Sequence, residues 1–234
     1  MAPDPGGWAT GWIWPALLAA ALAAAALWVM LRTDGRWFGK RLMYLIYDRV
    51  GPGLFAAMPE TERWLALLAR LDLEGGERVL DVGTAVGHLP LVLASRRWFR
   101  GSVTGVDWSP RMVERAREEA LRRGLDGRAR FQVADLRDGL PFADGAFDLV
   151  VCLGVLEAQP RTDRVLAELA RLVAPGGRLV LSLYRDITAV LTGIDRRWYD
   201  RHLDALGFRH RAAIPFRPAH DVLVASRRPG PLKA

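Results

Sequence analysis

The sequence predicts an α/β protein: a doubly wound, mostly parallel seven-stranded sheet with an antiparallel last strand, preceded by one transmembrane helix. Three observations carry this. From Arg78 onward, short apolar runs alternate with helical stretches, the pattern of a parallel sheet with right-handed crossovers. Runs such as 148–153 are apolar at nearly every position, as strands buried on both faces must be. Ahead of them, residues 8–31 contain no charged side chain.

With 234 residues the chain is long enough for one core and an appendage, and too short for two ordinary domains. After a short tail over 1–7, the stretch 8–31 reaches roughly 36 Å as a helix, against about 30 Å of hydrocarbon to cross. Trp8, Trp12 and Trp14 crowd one end, and Trp28, Trp37 and Phe38 the other, as interfacial aromatics do. A cleaved signal peptide needs a basic start, but only Asp4 is charged there. A buried core helix would show a polar stripe, which is missing. The alanine-rich run 19–26 is the least lipophilic part.

Arg32, Arg36, Lys40 and Arg41 follow the span. The positive-inside rule therefore puts the N-terminus outside and the rest of the chain in the cytoplasm. The single Cys152 has no partner for an internal disulfide, which suits a reducing compartment. The net charge of +7 is almost wholly arginine, with lysine only at Lys40 and Lys233. Arginine's planar fork suits anionic headgroups and nucleic acid alike, and a solvated basic surface accounts for the charge equally well.

Residues 32–72 read as connecting and capping helices. Phe38, Leu42, Leu45 and Ile46 recur at helical spacing, predicting an amphipathic helix that rests on the bilayer or covers the core. Gly51-Pro52-Gly53 is expected to end it. A second helix over 60–71 puts Trp64, Leu67, Leu68 and Leu71 on one face. The main domain is expected over 73–228, with a flexible tail over 229–234. Its strands are predicted at 78–81, 102–107, 129–133, 147–153 and 178–183, with helices at 88–95, 110–123 and 161–172. A helix over 195–206 and strands over 208–214 and 221–226 follow. The short connection between these two strands makes them antiparallel.

Ligands bind beyond the carboxyl ends of parallel strands, near the switch in strand order. Three acids stand there. Asp81 ends the first strand and leads into Val82-Gly83-Thr84-Ala85-Val86-Gly87, whose glycines let backbone approach a ligand. Asp107 ends the second, about 20 residues on, where an acid holds ribose hydroxyls. Asp135 follows the third, placed to accept from an exocyclic amine. Each could instead be a turn or capping aspartate. A nicotinamide dinucleotide would need glycine at positions 85 and 88, which hold Ala85 and His88. An acid ending the first strand also suits a cationic aminoacyl group better than a pyrophosphate, which argues for S-adenosylmethionine. The sequence lacks a P-loop.

Four segments in order resemble the class I methyltransferases, specifically their small-molecule branch of quinone and lipid methyltransferases. They are Val79-Leu80-Asp81-Val82-Gly83, Thr104-Gly105-Val106-Asp107-Trp108-Ser109, the run from Leu140 to Asp148 and the run from Leu169 to Arg178. The resemblance covers about 77–228. It implies that Asp81 and Gly83 lie by the methionine part of S-adenosylmethionine, with Thr84, Ala85 and Gly87 also among the cofactor-binding residues. It implies further that Asp107 binds both ribose hydroxyls and Asp135 the adenine amine, that Trp108, Leu136 and Met112 flank the adenine, and that Cys152 and Leu153 lie near the sulfonium. Ala85 departs from the family's commoner glycine.

Methyl transfer from a sulfonium is an in-line displacement, so alignment and exclusion of water matter most. A base is required only where the acceptor loses a proton. Glu157, after the fourth strand, is the best-placed candidate, with a solvated helix-start carboxylate as the plain alternative. Tyr184 is a candidate for the acceptor pocket. His88, His202, His210 and His220 show no metal-ligand spacing. No Asn/Asp-Pro-Pro-aromatic motif follows the fourth strand, which disfavours nucleic acid. The function expected is methylation of a small hydrophobic or lipid acceptor, either a lipid headgroup or a prenylated quinone precursor, with the segment 37–64 covering its pocket. A soluble small-molecule acceptor, a cofactor-binding protein without turnover and a nicotinamide-dependent oxidoreductase are the alternatives.

Overall fold

A computed structural model describes residues 13–58 and 61–229. The expected positions 1–12 and the tail beyond Pro229 lie outside the described residues. The core is one seven-stranded sheet of β1 (Arg78–Val82), β2 (Ser102–Asp107), β3 (Ala129–Val133), β4 (Phe147–Cys152), β5 (Val173–Tyr184), β6 (Phe208–Arg217) and β7 (His220–Arg227). Their spatial order is β3-β2-β1-β4-β5-β7-β6. The first five run parallel, and β7 is antiparallel to both β5 and β6. Strand order reverses between β1 and β4, so the cleft beyond their carboxyl ends is the ligand position for this topology.

Four helices lead in: α1 (Ile13–Arg32), α2 (Lys40–Arg49), α3 (Gly51–Ala56) and α4 (Thr61–Leu68). The crossovers carry α5 (His88–Ala94), α6 (Pro110–Arg122) and α7 (Thr162–Leu172), and α8 (Ile187–Thr192) and α9 (Arg196–Ala205) follow β5. One apolar layer joins Leu67, Leu89 and Val113 to one face of the sheet. The other joins Leu166, Leu169, Tyr199 and Leu203 to the opposite face. Burial on both faces explains why β4 reads as a continuous apolar run.

Two expectations need correction, and one connection holds a helix that was not read from the sequence. Gly51-Pro52-Gly53 does not end the helical region but opens α3, with Pro52 in its first turn, where a missing N–H costs no hydrogen bond. The connection over 185–194 contains α8, with Asp186 accepting from Thr188 N at 2.9 Å and Gly193 closing the helix at φ 70°. These are ordinary helix-start and helix-stop residues. Strands β6 and β7 run further than predicted and leave only Pro218 and Ala219 between them.

Helix α1 is long and apolar enough to cross a membrane, and Met30 is its only buried residue. Its end is tied to the domain. The Arg32 guanidinium pairs with Asp186, and Arg36 Nη1 donates to the Glu157 carbonyl (3.2 Å) and to Thr162 Oγ1 (2.8 Å). Lys40 Nζ donates to the Ala158 carbonyl at 2.8 Å. The linker is therefore part of the fold.

Candidate active site

The ends of β1, β2 and β4 form the floor of a cleft. Thr84 and Gly83 turn over the end of β2, their N–H groups donating to the Val106 carbonyl at 3.0 and 2.8 Å. Gly83 has φ 75°, and a Cβ there would lie 2.2 Å from Val155, so only glycine fits the turn. Ala85 is also left-handed, at φ 48°, a conformation that costs an alanine roughly 1–2 kcal/mol. Its N–H donates to Asp107 Oδ2 at 2.9 Å, and Ser109 N–H donates to Oδ1 at 3.0 Å. Asp107 is thus held rigidly, 3% exposed, at the lip of the cleft. Burial raises its carboxyl to about 6, against the lowering effect of these N–H groups.

Asp81 is buried, accepts from Thr84 Oγ1 at 2.7 Å and has no ion-pair partner among the described residues. Burial raises it to about 7, with the Asp107 charge adding to the effect. A buried carboxylate without a cation, beside a second one rigidly presented, suits a ligand with an ammonium and vicinal hydroxyls. S-adenosylmethionine has both.

The family defined by a methyltransferase domain matches residues 73–204, more than half of the chain. The chain belongs to this family, the class I S-adenosylmethionine-dependent methyltransferases. A demethylmenaquinone methyltransferase of Thermus thermophilus is 41% identical over 120 residues, which is 51% of this chain and 53% of that protein. A phosphatidylethanolamine N-methyltransferase of Cereibacter sphaeroides is 39% identical over 113 residues, 48% of this chain and 53% of that one. The chain thus spans about half the length of these curated relatives. The crystal structure of a SAM-dependent methyltransferase from Aquifex aeolicus superposes with a TM-score of 0.63 at 19% identity, covering 75% of this chain and 97% of that one. That likeness shows the same fold.

In this chain, Gly83, Asp107 and Trp108 line one cavity, roofed by Met43, Tyr44 and Tyr47 of α2. Asp81, Thr84, Ala85, Leu153 and Tyr184 join Gly83 in a second. Gly87 starts α5 at φ 80°, where a Cβ would lie 2.7 Å from Phe131. Asp135 is engaged by Arg137, whose guanidinium bonds both carboxyl oxygens and holds them below the usual carboxylate range. Six expected residues line neither cavity, Gly87 and Asp135 among them. Met112 packs under Gly51 with Ala85 and Val86, Cys152 and Leu136 belong to the core, and Glu157 is 5% exposed behind the wall formed by Val155 and Ala158. The Glu157 carboxyl oxygens make no hydrogen bond. The Tyr199 hydroxyl, near enough to act on Glu157's ionisation, donates instead to the Ser182 carbonyl at 2.9 Å. Burial raises Glu157 to about 8, so at neutral pH it holds its proton.

The second cavity encloses about 250 Å³; Phe55 and Trp64 in its wall come from the segment 37–64 expected to cover the pocket, whereas Phe216, Arg217 and His220 were not among the expected site residues. His220 stands 4.8 Å from the Tyr184 ring and 5.7 Å from Phe216. Burial and the nearby Arg217 charge lower it to about 4, so it is a neutral imidazole at physiological pH. No short-range spacing marks Phe216, Arg217 and His220, which the β6–β7 hairpin brings to α3 and α4 only on folding.

The raised carboxyls make a pH prediction. Both folded values exceed the usual 3.8, so these protons stabilise the cofactor-free fold at low pH. That contribution is lost as pH rises through about 6 and about 7. Pairing with the cofactor's ammonium and ribose hydroxyls would call for the ionised forms. We expect S-adenosylmethionine to bind at least ~10-fold more weakly near pH 5.5 than near pH 8, a pKa unit being worth about 1.4 kcal/mol. Calorimetric titration giving equal affinity at the two pH values would detach both carboxylates from the ligand.

Proposed function

We propose that the chain is a membrane-anchored S-adenosylmethionine-dependent methyltransferase acting on a small hydrophobic or membrane-lipid acceptor, a lipid headgroup or a prenylated quinone precursor. The observation that carries this reading is the second cavity. Its apolar wall of Phe55, Trp64, Leu89 and Phe216 opens beside Asp81 and reaches Asp34 in the turn that leaves α1. An acceptor dissolved in the bilayer would thus meet the pocket close to where the chain leaves the membrane. The names of the Thermus and Cereibacter relatives, one acting on a quinone and one on a phospholipid, favour the same class.

The cofactor supplies an electrophilic methyl group on a sulfonium, and the chain's own task is to hold and align. Asp81 would pair with the ammonium, with Gly83, Thr84, Ala85 and Gly87 giving backbone room, and Asp107 would take the ribose hydroxyls. Trp108 would pack on the adenine, and Asp135 would take its amine on lone pairs that Arg137 leaves free. Met112, Leu136 and Cys152 would support this shell from behind, with Leu153 nearer the reacting carbon. Tyr184 and His220 would line the acceptor. If the acceptor must lose a proton, neutral His220 is placed to take it, with Glu157 acting only once deprotonated. The four cations after the span support a cytoplasmic position for the domain.

The test is to incubate the full chain with S-adenosylmethionine and a total lipid extract. We expect S-adenosylhomocysteine to form only with the extract and a C-terminal reporter to be active only in the cytoplasm. Release with water-soluble acceptors alone would overturn the lipid reading, and a reporter active outside would overturn the orientation.

A further inference from the structure

Helix α2 has two faces that do different things. On one, Met43, Tyr44 and Tyr47 close the cavity over Gly83, Asp107 and Trp108. Tyr44 stacks on Trp108 with ring centroids 4.4 Å apart, and the Asp48 carboxylate accepts from Ser109 Oγ at 2.6 Å. The helix is therefore fastened to the same loop that holds Asp107. On the other face, Leu42, Leu45 and Ile46 are 48%, 50% and 39% exposed. Phe38 before them and Val50 after them are exposed too and continue the four-residue spacing. No described segment covers this strip.

Continuity with α1 says what does. Only residues 33–39 separate the two helices, and that turn is fixed from several sides. Thr33 Oγ1 donates to the Val29 carbonyl at 2.8 Å, Gly35 N–H to the Met30 carbonyl at 2.9 Å, and Arg36 is anchored on the loop after β4. If α1 spans a bilayer, α2 emerges at headgroup depth with no freedom to swing away. Arg41 and Arg49 are exposed at its two ends and suit anionic headgroups. An apolar strip flanked by arginines beside a spanning helix fits a lipid interface.

We propose that α2 is an interfacial roof: its outer face lies in the lipid interface while its inner face closes the cofactor cleft, so that bilayer contact and cofactor retention favour each other. This rests on the anchored reading given above. Lipid that stabilises the seated helix stabilises the closed cleft, and by linkage the bound cofactor drives the helix into the interface.

The experiment uses the full chain in vesicles of phosphatidylcholine and phosphatidylglycerol. Cys152 is buried, so a spin label introduced through Leu45→Cys reports that position alone, and Leu121→Cys on the outer side of α6, 68% exposed, is the aqueous control. The label at 45 should be reached by oxygen and shielded from a water-soluble nickel chelate, and the control the reverse. The variant Leu42→Ser/Leu45→Ser/Ile46→Ser should stay in the membrane at alkaline pH but bind S-adenosylmethionine about tenfold more weakly in vesicles, a coupling of ordinary size. A label at 45 as open to the chelate as the control overturns the roof, as does unchanged affinity in the triple variant. Strong label–label broadening that persists on dilution into excess lipid would assign the face to a second copy and also overturn it. Extraction of the unmodified chain by alkaline carbonate would instead refute the anchor, which separates the two failures.

Discussion

Replacing Asp107 by alanine should weaken S-adenosylmethionine binding by roughly 1.5–3 kcal/mol, about 10- to 150-fold. The carboxylate would give the cofactor two charge-assisted hydrogen bonds, each stronger than a neutral one. It is also held by the N–H groups of Ala85 and Ser109, so its position costs the ligand no rearrangement. The alanine variant frees those two N–H groups as well, and part of the loss would be local loosening of the turn after β1. Asp107→Asn separates the contributions. It keeps an acceptor for one N–H but loses the charge, and should fall between the two proteins. Calorimetry checks both variants, with circular dichroism to establish that they fold. Unchanged affinity in the alanine variant would remove Asp107 from the site.

Deleting the residues before Arg32 should leave cofactor affinity measured without vesicles intact and lower turnover on a vesicle-borne acceptor by about 100-fold. Effective-concentration gains from tethering are commonly of that size. The cut removes the Val29 and Met30 carbonyls that receive Thr33 and Gly35 but keeps Arg32. Its pairing with Asp186, with the Arg36 and Lys40 contacts behind it, still holds the linker against the domain. A deletion reaching Lys40 would remove part of the fold together with the anchor. Turnover on the vesicle-borne acceptor as fast as that of the full chain would mean that α1 serves localisation only, and the argument for a membrane-held substrate would fail.

The Glu157 environment shows how reading one dimension misleads. Its position just after β4 put it near the reacting centre, and in sequence it looks like a helix-start carboxylate. The chain turns there through a 3-10 helix, Leu156–Ala158, which carries the side chain into the core beside Tyr199 and Cys152. The carboxyl is close to the site along the chain and behind a wall in space. His220 is the converse case, far from Asp81 along the chain and yet in the wall of the same cavity.

By itself the sequence determined what depends on local pattern and on strand-end position. Strand β2 has the bounds read from its apolar run, because burial on both faces leaves few polar residues inside a strand. The edge strand β3, where buried and exposed residues alternate, also has the bounds read for it. The positions of Asp81, Asp107 and Asp135 near the sheet's carboxyl edge were legible in a similar way, as acids at or just beyond the ends of such runs. Tertiary structure decided which face of each helix meets what. The stripe Phe38, Leu42, Leu45 and Ile46 marks α2 as amphipathic, but the fold turns that stripe outward and packs Met43, Tyr44 and Tyr47 on the cleft. Periodicity reports that a face avoids water without saying whether protein or lipid receives it. The wall of the second cavity likewise exists only once α3, α4 and the β6–β7 hairpin converge. Contacts between residues so far apart in the chain leave no local spacing to read.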